Sequence, residues 1–247
     1  MSNATKNATE KAFQQNFVKE LTHYKWNAPD YLDGNKQTVT VQDLINNWRR
    51  ELNRINTDQL EGVELTDSEF KQVMAKVSLI SNSYEAAKIL AIEESKGKID
   101  GIYRDDNPKI TRKQITLTIF KKAEVRGGDS SYQIAREIQT SNGNRFDIVL
   151  LINGLPLINI EQKRTDKSLD EAFGQFQRYY RDGEYTNNFM AFSQMMVVTT
   201  EIETRYFATP KSADEFNPSF VFHWSDKENK PINNWQHVIK HFLMIPM

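Results

Sequence analysis

The sequence predicts an α/β protein with a central mixed β-sheet flanked by helices and preceded by a helical region. Three observations predict this. Apolar residues recur at helical spacing through the first hundred positions. After Gly101 the period becomes the alternation of strands. Two apolar runs then flank Asn153-Gly154, a strong hairpin signal. A chain of 247 residues fits one large domain or two small ones and can bury a core without disulfides or structural metals.

The elements follow in order. Met1-Ser2-Asn3-Ala4 reads as a vector-derived scar, and residues 1–9 are set aside as a disordered start. Residues 10–100 form the helical part. Phe13, Phe17, Val18 and Leu21 mark one helix, and Val41, Leu44, Ile45, Trp48 and Leu52 a second. Phe70, Val73, Met74 and Val77 mark a third, with Thr66 or Asp67 as its cap. Pro29 and Gly34 make residues 30–36 a loop. Tyr84, Ala87, Ile89 and Leu90 suggest a further helix that ends near Gly97.

Residues 101–225 form the mixed core. Strands are expected over 114–120, 132–139, 145–152 and 157–163, with a turn at 126–129. A helix follows from Ser168 to about Asp182, and strands over 195–200 and 220–224 complete the core. A last helix, Pro231 to Phe242, lies within residues 226–247.

Composition excludes several classes. There is no cysteine, so disulfides, thiol nucleophiles and thiolate metal sites are out; a reducing cytoplasm is the expected setting. No apolar run approaches the roughly 20 residues needed to span a membrane. No Gly-x-x-x-x-Gly-Lys-Ser/Thr loop is present, so ATP binding is not expected here. His237 and His241 stand at a zinc-site spacing but lack a third ligand. The net charge is -1, whereas free nucleic-acid binders carry a strong basic excess. Any DNA contact must come from a local patch or from partner domains.

The informative segment is RFDIVLLINGLPLINIEQK, residues 145–163. Buried strands rarely carry charge unless it is paired or binds metal. Here Asp147 opens one strand, and Glu161 and Lys163 close the other, so all three meet at the open end of the hairpin. Glu161 and Lys163 share a face. A two-residue loop at Asn153-Gly154 would place Asp147 opposite Ile160. A three-residue loop, or a bulge that restores its register, places Asp147 opposite Glu161, and that arrangement is the expectation. Two carboxylates and an ammonium suit metal-assisted phosphodiester hydrolysis. Asp147, Glu161 and the Gln162 backbone carbonyl would hold Mg²⁺. Lys163 would orient water or stabilise developing charge. A salt-bridge cluster at a strand end would assemble the same groups.

Asp147 with Glu161-Gln162-Lys163 resembles the motif of the PD-(D/E)XK nucleases. The longer run, with its Asn-Gly-Leu-Pro turn, resembles the nuclease segment of type I restriction R subunits; Phe146 stands where that family usually has proline. Gln175 and Tyr179, on the helix opened by a Ser168/Glu171 capping box, resemble the Gln-x-x-x-Tyr element of the same family. Thr9-Glu10 resembles the family's opening helix, with Gln14 where a second acid is usual. The resemblance implies a restriction-endonuclease-like core, Mg²⁺-dependent cleavage of double-stranded DNA, and Gln175 and Tyr179 leaning over the site. It implies modification and specificity subunits as partners, with ATP used only by a motor domain beyond this chain. Glu10 and Glu85 are rival candidates for a further acidic ligand. Arg164, Lys167 and Arg178 are candidate phosphate contacts, with Arg181 nearby. Another nuclease of the superfamily, or a non-catalytic docking domain, are the rival functions.

Overall fold

A computed structural model describes residues 3–91, 97–120 and 130–245, with side chains from Glu10 onward. In chain order the elements are α1 (Asn3–His23), β1 (Val39–Thr40), α2 (Val41–Ile55), α3 (Asp67–Val77) and α4 (Ser83–Ala91). Then come β2 (Lys98–Tyr103), β3 (Gln114–Thr118), β4 (Tyr132–Gln139), β5 (Arg145–Ile152), β6 (Leu155–Gln162) and α5 (Leu169–Arg181). The last are β7 (Met195–Thr199), β8 (Thr204–Ala208), β9 (Trp224–Ser225), β10 (Pro231–Ile232) and α6 (Trp235–Val238), which continues as a π-turn over Ile239–Leu243.

The central sheet is mixed and six-stranded, in the order β1-β4-β5-β6-β7-β8. β1 runs parallel to β4 and β6 parallel to β7; the other pairs are antiparallel. Alternation along the central strands divides the core. Ile134, Ile148, Leu150, Ile160 and Val197 pack against Phe13, Phe17 and Leu21 of α1 and Trp235 and Ile239 near the C-terminus. Ala135, Val149, Leu151, Leu157, Met196 and Val198 face α2, α3, α4 and α5. The fold is therefore the expected α/β layer arrangement of a restriction-endonuclease-like core, with helices on both faces.

Caps set the helix boundaries. Thr66 accepts from the Glu69 amide, and the Glu69 carboxylate accepts in return from the Thr66 amide, closing a capping box on α3. Ser168 caps α5 by accepting from Asp170. The expected box is not made: the Glu171 amide donates to the Ser168 backbone carbonyl, and the Glu171 carboxylate pairs with Lys167. The last helix starts at Trp235 rather than Pro231. The Asn234 side chain caps it through the His237 amide, while Pro231 pairs with Ser225. The strand expected over 220–224 is reduced to a bridge at Phe222 and the short β9, since Asn217-Pro218 sets a 3₁₀ turn over Pro218–Phe220. β2 and β8 are strands the hydrophobic pattern did not reveal. The expected turn at 126–129 and the helix end before Gly97 lie outside the described residues.

The β5–β6 hairpin is the feature that matters for the site. Asn153 (φ 51°) and Gly154 (φ 78°) form a two-residue turn of the mirror-image type that suits twisted strands. Ile152 faces Leu155 and Leu151 faces Pro156, but Leu150 faces Ile158. One extra residue has entered β6, and beyond it Ile148 faces Ile160. The bulge therefore restores the register that a three-residue loop would have set. Its position has a reason: Pro156 has no N–H for the ladder, and proline inside a sheet is confined to edges and bulges. The Leu157 carbonyl accepts from the Gln194 amide at 2.8 Å.

The turn is fastened to α2. A Cβ on Gly154 would stand 2.8 Å from the Trp48 Cα. Gly154→Ala should thus suffer both a left-handed backbone and a backbone collision, losing about 2 kcal/mol or more of stability. A urea midpoint unchanged from the parent would contradict this account of the turn.

Candidate functional site

β5 and β6 deliver the site at their open end. Asp147 accepts a hydrogen bond from the Gln162 amide at 2.8 Å. Lys163 donates to Glu161 at 2.7 Å. The strand end is held in the sheet by the Lys163 amide, which donates to the Thr199 carbonyl of β7 at 2.9 Å. Asp147 and Glu161 are 6% and 1% exposed, so both acids are taken out of water. Burial pushes the Asp147 carboxyl up to about 6, against the pull of Lys163 and the Gln162 amide. Burial, and then the neighbouring Asp147 charge, push Glu161 well above the carboxylate range.

This is an unbalanced group of charges. With both ionised, two buried acids would meet one ammonium and leave one negative charge where desolvation is expensive. Oxygen donors of this kind suit a hard divalent ion that keeps several waters of its own. Among the described residues no three Asp, Glu, His or Cys side chains are gathered to hold an ion. Of the rivals for a further acid, Glu10 borders the same cavity as Asp147. Glu85 lies on α4 and pairs with Lys88 at 2.8 Å.

Tyr179 is buried on α5 and donates to the Arg145 carbonyl at 2.7 Å, two residues before Asp147. Gln175 donates to the Tyr179 hydroxyl, and Phe146 packs edge-on against its ring. Burial, then the Glu161 charge, raise the Tyr179 hydroxyl's pKa and keep it a donor. The pair thus braces the strand that carries Asp147. Phe146, in the place of a proline, supplies the ring contact. Of the basic candidates, Arg164 pairs with Asp166, Lys167 with Glu171, and Arg178 lies over the Tyr179 ring.

Three residues at the site were given no role by the sequence: Gln14, noted only for replacing an acid, Arg145, noted only as the start of the motif segment, and Glu137. All three border the cavity beside Asp147. Ala135 and Ile138 face the same core cluster although three apart, and so do Phe146 and Val149. Alternation therefore slips on both neighbouring strands while their pairing, Arg136 with Ile148 and Ile138 with Phe146, stays in register. Asp147 and Glu137 sit at that double slip, and Glu137 takes a positive φ of 55° to make it. A lone glutamate in a strand gives no local hint of this.

Fold and site together define an α/β protein of restriction-endonuclease-like architecture, with two buried acids and an amine at the open end of a central hairpin. The chain belongs to the family of type I restriction enzyme R protein N termini, whose sequence profile matches residues 7–215. It is 34% identical over 212 residues to the type I restriction enzyme SauCOLORF180P endonuclease subunit of Staphylococcus aureus, covering 84% of this chain and 21% of that one. Identity to the SsaAORF53P endonuclease subunit of Staphylococcus saprophyticus is 32%, again over 84% of this chain and 21% of the relative. Identity to the EcoprrI endonuclease subunit of Escherichia coli is 25%, over 82% of this chain and 66% of the relative. The chain thus spans about a fifth of the length of the staphylococcal relatives.

Two outcomes follow from the geometry. Asp147→Asn should stabilise the metal-free chain in chelator at pH 7, by about 1–3 kcal/mol. The folded-state value of about 6 lies above the ordinary 3.8, so the acid's penalty is absent below 3.8, grows with pH and is complete above about 6. The gain should therefore vanish in acid; equal gains at pH 3.5 and pH 7 would contradict it. Tyr179→Phe leaves the Arg145 carbonyl without its donor and should lower the urea-derived stability by about 1–3 kcal/mol.

Proposed function

We propose that this chain is the Mg²⁺-dependent DNA-cleaving domain of a type I restriction R subunit, hydrolysing phosphodiester bonds of double-stranded DNA. The observation that carries the reading is the meeting of Asp147, Glu161 and Lys163 at the open end of one hairpin, made possible by the bulge after Pro156. The relatives' shared description as endonuclease subunits supports it.

Each residue has a part in this reading. Asp147 and Glu161 hold the ion, with the Gln162 carbonyl as a further oxygen donor. A bound divalent ion supplies Lewis acidity and lowers the pKa of its water. Lys163 is kept at the site by its bond to Glu161, where its ammonium orients the attacking water or stabilises charge on the phosphate. Tyr179 and Gln175 keep the Asp147 strand in place. Arg164, Lys167 and Arg178 lie on the segment after the motif, and reaching phosphate would require the first two to exchange their carboxylate partners.

The near-neutral charge of the chain fits a nuclease that is handed its DNA. In this reading the remainder of the R subunit is an ATP-driven translocase, and separate modification and specificity subunits choose the site on DNA. The cytoplasm is the setting this implies; among the described residues no helix is long and apolar enough to cross a membrane.

The test is plasmid cleavage by the assembled complex carrying Asp147→Ala, Glu161→Ala or Lys163→Ala, with ATP hydrolysis measured in parallel. Each variant should lose cleavage by about a hundredfold or more, since each removes a charged group from the transition state. ATP hydrolysis should persist. Retained cleavage in all three would overturn the assignment.

A further inference from the structure

On the α1 side of Asp147 lies a cavity of about 290 Å³, with Lys11, Gln14, Glu137, Arg145 and Gln162 among its walls. Two features there are unexplained by metal holding. The Gln162 side chain is 1% exposed, yet neither its amide nitrogen nor its oxygen has a hydrogen-bond partner. Buried amides are nearly always partnered, so one without a partner at a cavity wall calls for a water or a polar ligand to complete it. Glu137 holds a left-handed backbone conformation that side chains other than glycine adopt at a cost. Such strain persists where the surroundings enforce it, typically at functional sites.

The surroundings do enforce it here. The Gly34 amide donates to the Arg136 carbonyl at 2.9 Å, and a Cβ on Gly34 would stand 2.5 Å from the Glu137 carbonyl oxygen. From this conformation the Glu137 carboxylate takes two groups at once. It accepts from Gln14 of α1 at 2.6 Å and pairs with the Arg145 guanidinium at 2.8 Å. The arginine is thereby pinned at the cavity while 56% of its side chain stays exposed.

Charge decides which ligand suits the cavity and when. Glu10, Glu137 and Asp147 border it together with Lys11 and Arg145, so by themselves the walls repel an anion. A divalent ion held by Asp147 and Glu161 reverses that balance. We propose that this cavity is a phosphodiester subsite. Arg145 and the Gln162 side-chain NH₂ take the oxygens of a DNA backbone phosphate, and Glu137 is the positioning residue that holds Arg145 and α1 in place. The charge reversal rests on the metal reading above; the donors themselves do not. Guanidinium suits the task because its forked N–H groups match phosphate oxygens.

The test uses the ¹⁵N-labelled chain, titrated first with Mg²⁺ and then with a thymidine dinucleotide joined by one phosphodiester. The Gln162 side-chain NH₂ and the Arg145 Nε–H signals should move together, with a single midpoint, and only after Mg²⁺ is present. Arg145→Ala should weaken that midpoint about tenfold or more. Glu137→Gln, which keeps an acceptor for Gln14 but removes the charge that pins Arg145, should weaken it; a purely structural role would leave the Glu137→Gln midpoint at the parent's. Dinucleotide shifts that bypass Gln162 and Arg145, or an Arg145→Ala midpoint equal to the parent's, would overturn the subsite. The metal reading fails separately: Mg²⁺ would then leave the Asp147 and Glu161 amides unmoved. Shifts at Gln162 and Arg145 without Mg²⁺ would keep the subsite and remove its charge reversal.

Discussion

The structure depends on one extra residue in one strand. Side chains alternate along a β-strand, so a shift of one position exchanges its two faces. With the two-residue turn at Asn153-Gly154 continued as a regular ladder, Asp147 would stand opposite Ile160 and away from Glu161. The bulge after Pro156 changes the pairing from there to the open end, so that Ile148 faces Ile160. An acid on one strand is thereby brought to an acid on the next. The turn is short because Asn153 and Gly154 both take positive φ, with α2 packed close against Gly154, and the bulge has its place because proline cannot serve a regular ladder.

Bringing the acids together opposes stability. Each is buried and raised by that burial; the Asp147 charge raises Glu161 further, while the bond to Glu161 lowers Asp147. Lys163 offsets part of this, and the Gln162 amide bond to Asp147 another part. The large apolar clusters on both faces of the sheet make such a group tolerable. Tyr179, Phe146 and Tyr185 form a packed wall behind the Asp147 strand, with Phe146 stacked on Tyr185 and edge-on to Tyr179. A packed wall is what the proposed chemistry requires, because metal and phosphate chemistry tolerate little displacement.

The opposite side of the site is built from α1 and the slip in β4 and β5. Alternation breaks at the same level on both strands, so the ladder stays whole while the faces change. Glu137 absorbs the break in its backbone and uses its carboxylate to tie α1 to β5. Nearby, Asp33 and Arg136 join the loop after Trp26 to the same strand by paired bonds, one of them at 2.6 Å. Burial raises the Asp33 carboxyl, and the Arg136 bonds outweigh it and hold it below its usual value. The first helix and its following loop are therefore fixed parts of the site.

Much of this was legible in the chain itself. Helical periods located α1, α2 and α3, because one-sided burial writes its period into the sequence, while β4 and β5 were located to the residue as runs bounded by turn residues, β5 being apolar on both faces. The acids and amine of residues 147, 161 and 163 stood out because charge at the ends of apolar strands needs a partner. Asn153-Gly154 announced the turn, and Pro156 allowed the bulge. The tertiary structure alone decided the rest. β2, β8 and the π-turn at the C-terminus owe their form to neighbours, which no local window contains. Glu137, Gln14 and Arg145 meet beside Asp147 although Gln14 and Glu137 are 123 residues apart. Local pattern reports which face a residue occupies; only the packed chain decides which faces meet, because burial and hydrogen bonding across the fold are satisfied together or not at all.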